Sequence, residues 1–399
     1  MYVSKLVDDL PPSGIRAFFD LVMGMKDVVS LGVGEPDFVT PWHIRERAIH
    51  SLEQGYTSYT SNKGMPELRK DICAFLKKRY GLAYHWDDEM LITVGVSEAM
   101  DLAFRAILNR GEKIIIHEPC FVAYAPLVTL AGGEAVPLIT TAAEGFKVTP
   151  EKLEKAWSKG TKAFLLNYPC NPTGTSYTRQ ELIALAKVAK KRDLLVISDE
   201  VYDELTYDFE HTPFATLPGM RDRVIYLNGF SKAYAMTGWR MGWAAGNEKI
   251  IAAMVKIHQY LVMCAPISSQ MAAREAITNG AADVALMKKE YLRRRNFIVA
   301  SLNEMGLECH MPQGAFYAFP SIKSLKMSSL DFAKELLDKE KVALVPGTAF
   351  GSDCADHVRI SYASSYDKLR EAVVRMRHYL EARRHSGLRG GEEAPRSTI

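Results

Sequence analysis

Short β-branched runs alternate with longer segments of helical apolar spacing through the first 285 or so residues. The strand candidates are residues 90–95 (MLITVG), 113–118 (KIIIHE), 135–139, 162–168 (KAFLLNY), 194–198 (LLVIS) and 224–228 (VIYLN). Helix candidates lie between several of them. Residues 97–108 form one, and residues 179–191 another, with Leu182, Leu185, Ala186 and Ala189 on one side. Such alternation is the signature of βαβ units and of a mainly parallel sheet. The strands are apolar throughout, so helices should cover both faces.

After residue 285 the pattern changes. A long charged helix, 286–305, leads into LECHMPQGAFYAFPSI, which reads as a strand pair. A helix at 330–340, a strand at 357–362 and a helix at 366–383 follow. The expected organisation is an N-terminal segment, 1–40, packing with a small α+β domain, 286–383. A large α/β domain, 41–285, lies between them in sequence. The tail 384–399 is polar and Gly-rich, with almost nothing to bury, and reads as disordered.

The 399 residues carry 50 Lys+Arg against 47 Asp+Glu, a net charge of +3, which argues against a general nucleic-acid binder. No apolar run reaches the roughly 18 residues of a membrane span. The N-terminus lacks a signal-peptide core. Six scattered cysteines without a CxxC pair read as reduced thiols of a cytoplasmic protein. His43 and His50 are seven apart, which is not metal-ligand spacing on a helix.

Lys232 is the only charged residue in VIYLNGFSKAYAMTGW, residues 224–239. Burial lowers a lysine pKa and frees the amine as a nucleophile; the bland alternative is a lysine that snorkels out or pairs with an acid. Asp199 follows the run LLVIS, at the strand end where open α/β sheets bind ligands, although an acid there also caps turns. Asn171 sits in the rigid turn YPCNPTG. Val96 and Ser97 lie where a strand runs into a helix, a ready anion site or an ordinary N-cap. Arg240, in GWRMGW, and Arg359, in HVRISYAS, are arginines in apolar settings. Such residues fork onto phosphate or carboxylate, or form structural ion pairs. GVGEPD at 32–37 lacks the third glycine of a dinucleotide fingerprint.

The order NPTG, SDEVY, SK, GWRMGW, VRISYA resembles that of the class I/II aminotransferases, which are fold-type-I pyridoxal 5'-phosphate enzymes. The resemblance spans roughly residues 31–383 and includes LGVGEPDF, YTSYTSNKGMPELR, PCFVAY, GAFYAFP and PGTAFG. It is strongest to the branch of microbial aspartate, aromatic amino-acid and N-acetyl-diaminopimelate aminotransferases. It implies an α/β large domain with a mainly parallel seven-stranded sheet sandwiched by helices, plus the smaller α+β domain.

The resemblance also implies roles. Lys232 would form the internal aldimine and shuttle the proton. Asp199 would hold the pyridine nitrogen protonated, Asn171 and Tyr202 would bond the ring oxygen, and Phe121 would stack on the ring. Arg240, Val96 and Ser97 would hold the phosphate, with Tyr59 reaching in from the second subunit of a homodimer with shared sites. Some relatives carry a phosphate-binding serine at the place of Gly229, and a residue smaller than Val96 is common there. Arg359, with Gly34 and Asn171, would take the substrate α-carboxylate. Ile15, Tyr124 and Tyr260 are possible pocket walls or plain core. The implied reaction moves an amino group from an L-amino acid, aromatic or aspartate, to 2-oxoglutarate by a ping-pong route. Rival readings are an N-acetyl-diaminopimelate aminotransferase, a β-lyase of the same fold, a pyridoxal-phosphate-sensing regulator, and a dinucleotide-dependent dehydrogenase.

Overall fold

The computed structural model describes residues 2–12, 14, 22 and 24–389. Strand β1 (Val29–Ser30) precedes a central sheet of seven strands. These are β2 (Met90–Val94), β3 (Lys113–Glu118), β4 (Glu134–Ile139), β5 (Thr161–Asn167), β6 (Leu195–Asp199), β7 (Val224–Gly229) and β8 (Met241–Ala245). Their order is β2-β8-β7-β6-β5-β3-β4, with β8 antiparallel to both of its neighbours and every other pair parallel.

Side chains on a strand alternate between faces, and here each face has its own core. Ile114, Ile116, Leu165, Ile197, Ile225 and Leu227 pack with the helices Gly95–Ile107, Tyr124–Leu130 and Glu248–Leu261. Ile115, Phe164, Leu166, Val196 and Tyr226 pack on the opposite face with Trp42–Glu53, Pro66–Tyr80, Arg179–Lys191 and Ile267–Asn279. The near-continuous apolar strands follow from this double coverage.

A separate core joins both ends of the chain. Strand β1 pairs in parallel with β10 (Val342–Ala343), while β11 (Val345–Pro346), β12 (Val358–Ser361) and β9 (Tyr317–Ala318) form a three-stranded antiparallel sheet. The helices Ala281–Glu304, Ser329–Glu340 and Tyr366–Arg389 cover them. Among the described residues no helix is long and apolar enough to cross a membrane.

Several readings of the sequence need correction. Strand β8 was not among the candidates, because its five residues fall within a glycine- and tryptophan-rich string. The expected strand pair at 307–322 reduces to the two residues of β9, since Pro312 and Gly314 interrupt the run. The helix Ala281–Glu304 begins before residue 285 and runs through it without a break. The last helix runs to Arg389, which makes residues 384–389 helical and not disordered; residues 390–399 and Ile15 lie outside the described residues.

Candidate active site

The carboxyl ends of β2, β3, β5, β6 and β7 open onto one cavity of about 440 Å³. A parallel sheet concentrates its strand-end loops on one side, which is where a ligand finds several loops within reach. Val96, Ser97, Phe121, Asn171, Asp199, Tyr202, Lys232, Arg240, Gly34 and Arg359 all line it. Of the residues singled out from the sequence, Tyr59 and Tyr260 do not. Both are exposed, at 80% and 86%.

Lys232 follows β7 directly, and its Nζ donates to the Gly34 carbonyl at 2.6 Å. Burial brings its pKa down to about 8, assisted by the cations Arg359 and Arg240 and opposed by Glu35 and Asp199. An amine with that pKa is neutral in about a tenth of molecules at pH 7, far more than an ordinary lysine, and a neutral amine is nucleophilic. Asp199 ends β6. Burial raises its carboxyl to about 6, while a 2.6 Å bond from the Tyr124 hydroxyl and the Val201 amide hold it below a higher value.

Asn167, at the end of β5, was not singled out from the sequence. Its Nδ2 donates to the Asp199 carbonyl at 3.0 Å, and its Oδ1 accepts from the Asn171 amide at 3.0 Å. One carboxamide thus ties two strand ends to the NPTG turn. Asn171 Oδ1 in turn accepts from Arg359 Nη1 at 2.9 Å, and Arg359 Nη2 donates to the Gly32 carbonyl at 2.6 Å. The guanidinium is buried between Tyr317 and Phe350, 4.6 and 4.8 Å from the ring centroids, and its Nε has no partner among the described residues. Such a charge is costly unless an anion reaches it.

Tyr202 meets Tyr317 hydroxyl to hydroxyl at 2.8 Å, and Tyr317 also reaches the Gly34 carbonyl at 3.4 Å. Tyr317 belongs to GAFYAFP, where four apolar neighbours make it look like core; only the fold brings it to Tyr202. Tyr124, a possible wall or plain core in the sequence, does line the cavity, and its hydroxyl also donates to Asp199.

On the other side of the cavity the helix Gly95–Ile107 begins. Its first amides precede any helical partner carbonyl, and Val94 at the N-cap has no side-chain acceptor to offer them. Gly95 has φ +77°, and a Cβ there would lie 2.6 Å from Arg240 Nη2. A Cβ on Gly242 would lie 2.6 Å from the Val96 amide nitrogen. These glycines let β8 deliver Arg240 beside the helix start, which gives a guanidinium and free amides facing one anion-sized region.

The sequence matches the family Aminotransferase class I and II over residues 26–376. It is 56% identical over 379 residues to a Bacillus subtilis protein described as "Putative aminotransferase YugH", covering 95% of this chain and 98% of that one. It is 44% identical over 387 residues to an aspartate aminotransferase of Pyrococcus abyssi, covering 96% and 100%. The crystal structure of an aromatic aminotransferase from Pyrococcus horikoshii superimposes with a TM-score of 0.88 at 42% identity, covering 93% of this chain and 99% of that one. The chain therefore belongs to the class I and II aminotransferases. It has their fold-type-I transferase architecture and is an enzyme of amino-acid metabolism. Members of this family generally depend on pyridoxal phosphate, act on amino and oxo acids, and are commonly homodimeric.

Proposed function

We propose that this chain is a cytoplasmic, pyridoxal-phosphate-dependent aminotransferase. It moves the amino group of an aromatic L-amino acid or aspartate to 2-oxoglutarate by a ping-pong route. The observation that carries the reading is the single cavity holding a pKa-lowered lysine, a buried aspartate and two arginines. The residues fit the cofactor. Arg240 and the amides of Val96 and Ser97 suit its phosphate, the carboxylate of Asp199 suits a protonated ring nitrogen, and Phe121 offers a ring face. Bound there, the cofactor supplies an electron sink for charge developing at the substrate Cα.

The protein's own groups do the rest. Lys232 offers its amine for covalent attachment and then takes and returns the Cα proton. Asp199, as an anion, keeps a proton on the group it faces. Asn171 and Tyr202 orient the ring oxygen. Arg359, with its unpartnered Nε, receives the α-carboxylate, aided by the Gly34 backbone and Asn171. The core that joins β1 and its neighbours to the C-terminal segment lies beside Gly34 and Arg359, and its movement onto the central sheet would exclude water.

The test is a donor panel with 2-oxoglutarate, including aromatic amino acids, aspartate and the N-acetylated diaminopimelate donor. Glutamate and the matching oxo acid should form together. Release of ammonia and pyruvate without an acceptor would assign a lyase instead. Lys232→Ala should lose turnover by orders of magnitude while the folded protein still binds the cofactor noncovalently; ordinary turnover would overturn the reading.

A further inference from the structure

The helix that offers its first amides to the cavity carries an acid in its first turn. Glu98 bends back so that its Oε2 accepts from the Val94 amide at 2.5 Å. Its other oxygen meets His258 Nδ1 at 2.8 Å. His258 lies on the helix Glu248–Leu261, is fully buried, and has no partner at Nε2 among the described residues. An imidazole is rarely placed so deep without a task for at least one nitrogen. Here its one bond is to Glu98, and Glu98 binds the backbone of the turn that presents Val96 and Ser97. The packing behind this contact is tight, with Ile251, Met254, Leu102 and Phe104 in one core.

A carboxylate in the first turn satisfies a free amide, yet its charge opposes any anion bound at the same helix start. Held by His258, both of its oxygens are engaged, one by the Val94 amide and one by the imidazole. We infer that His258 is a positioning residue for the phosphate end of the cofactor. It grips Glu98, and Glu98 fixes the Val94–Gly95 turn from which the Val96 and Ser97 amides are presented to the phosphate. This inference rests on the proposed pyridoxal-phosphate site.

The test uses the purified full chain stripped of cofactor, with titration of pyridoxal phosphate, pyridoxal and inorganic phosphate followed by intrinsic fluorescence. His258→Ala and Glu98→Ala should weaken pyridoxal phosphate and inorganic phosphate by roughly tenfold, the size expected for one hydrogen bond to a charged group. Pyridoxal, which lacks the phosphate, should bind as in the wild type. His258→Asn, whose amide reproduces the Nδ1 donor, should restore most of the loss. Equal loss for pyridoxal, or unchanged phosphate affinity in both alanine variants, would overturn the inference. Melting temperatures of the cofactor-free variants separate a folding defect, in which all three ligands weaken together. Failure of the wild type to bind pyridoxal phosphate would instead overturn the proposed function.

Discussion

A Cβ built on Gly229 would lie 3.0 Å from Val96 Cγ2. The two residues share one space at the phosphate end of the cavity, the valine filling what a side chain at 229 would occupy. The Met241 carbonyl closes the same space from β8, 2.8 Å from that Cβ. A serine here is thus excluded by its neighbours and is more than a missing ligand. Gly229→Ser should not add a phosphate contact. It should destabilise the fold by about 1–3 kcal/mol, the usual cost of overpacking, and weaken cofactor binding. Val96→Ala in the same chain should recover part of the loss, because the methyl is removable and the carbonyl is not. Thermal melts and cofactor titrations of both variants decide it. Tighter cofactor binding in Gly229→Ser alone would contradict this account.

The comparison of sequence with structure turns on what each signal depends on. The inner strands of the central sheet were legible because burial on both faces writes a near-continuous apolar run. Strand β8 was not, since Gly242 serves a close approach to Gly95 and leaves no propensity signal. Lys232 stood out because it is a lone charge in an apolar stretch. Asn167 and Tyr317 did not, and Tyr124 did so only as a possible wall, because each bonds a partner distant in sequence. Tyr124 bonds Asp199 across 75 positions and Tyr317 bonds Tyr202 across 115. An asparagine or tyrosine beside apolar residues carries no mark of such a bond.

Tyr124 tunes Asp199, and the direction can be stated. Its hydroxyl donates to the carboxylate and therefore stabilises the charged form, against burial, which raises the pKa to about 6. Tyr124→Phe removes that donor, so the Asp199 pKa should rise further. If the charged aspartate is the active form, activity is lost as pH falls through this pKa. The acid limb of kcat/KM should then move to higher pH in Tyr124→Phe, with the alkaline limb unmoved. A pH–rate profile read on both proteins checks this. An unchanged acid limb would detach Asp199 from catalysis or Tyr124 from Asp199.

Arg359 offers a planar fork held by Asn171 and the Gly32 carbonyl, with Nε left free. Lysine keeps the charge and loses the fork. One charge-assisted hydrogen bond is worth about 1.5–3 kcal/mol, so Arg359→Lys should lower kcat/KM roughly ten- to hundredfold. The loss should be similar for aromatic and acidic donors, because all share the α-carboxylate. A loss confined to acidic donors would make Arg359 a reader of the substrate side chain.

Tyr59 is 80% exposed and takes no part in the cavity of its own chain. The segment that carries it is nevertheless fixed. Gln270 donates to the Thr60 hydroxyl at 3.0 Å and to the Ala265 carbonyl at 2.8 Å. Just before Ala265 stand Tyr260, Leu261, Val262 and Met263, all exposed. An exposed tyrosine next to Thr60, which Gln270 ties to the foot of an exposed apolar run, suits a two-fold interface. Each protomer should lend Tyr59 to its partner's phosphate site in a homodimer. Complementation checks this: Arg359→Ala and Tyr59→Phe are each impaired, then mixed under conditions that exchange subunits. If Tyr59 acts across the interface, each hybrid dimer has one site with both defects and one with neither, and activity returns. If it acts within its own chain, every hybrid site keeps a defect and the mixture stays as poor as its parts. Native mass spectrometry establishes that hybrids formed, and no recovery in their presence would refute the shared site.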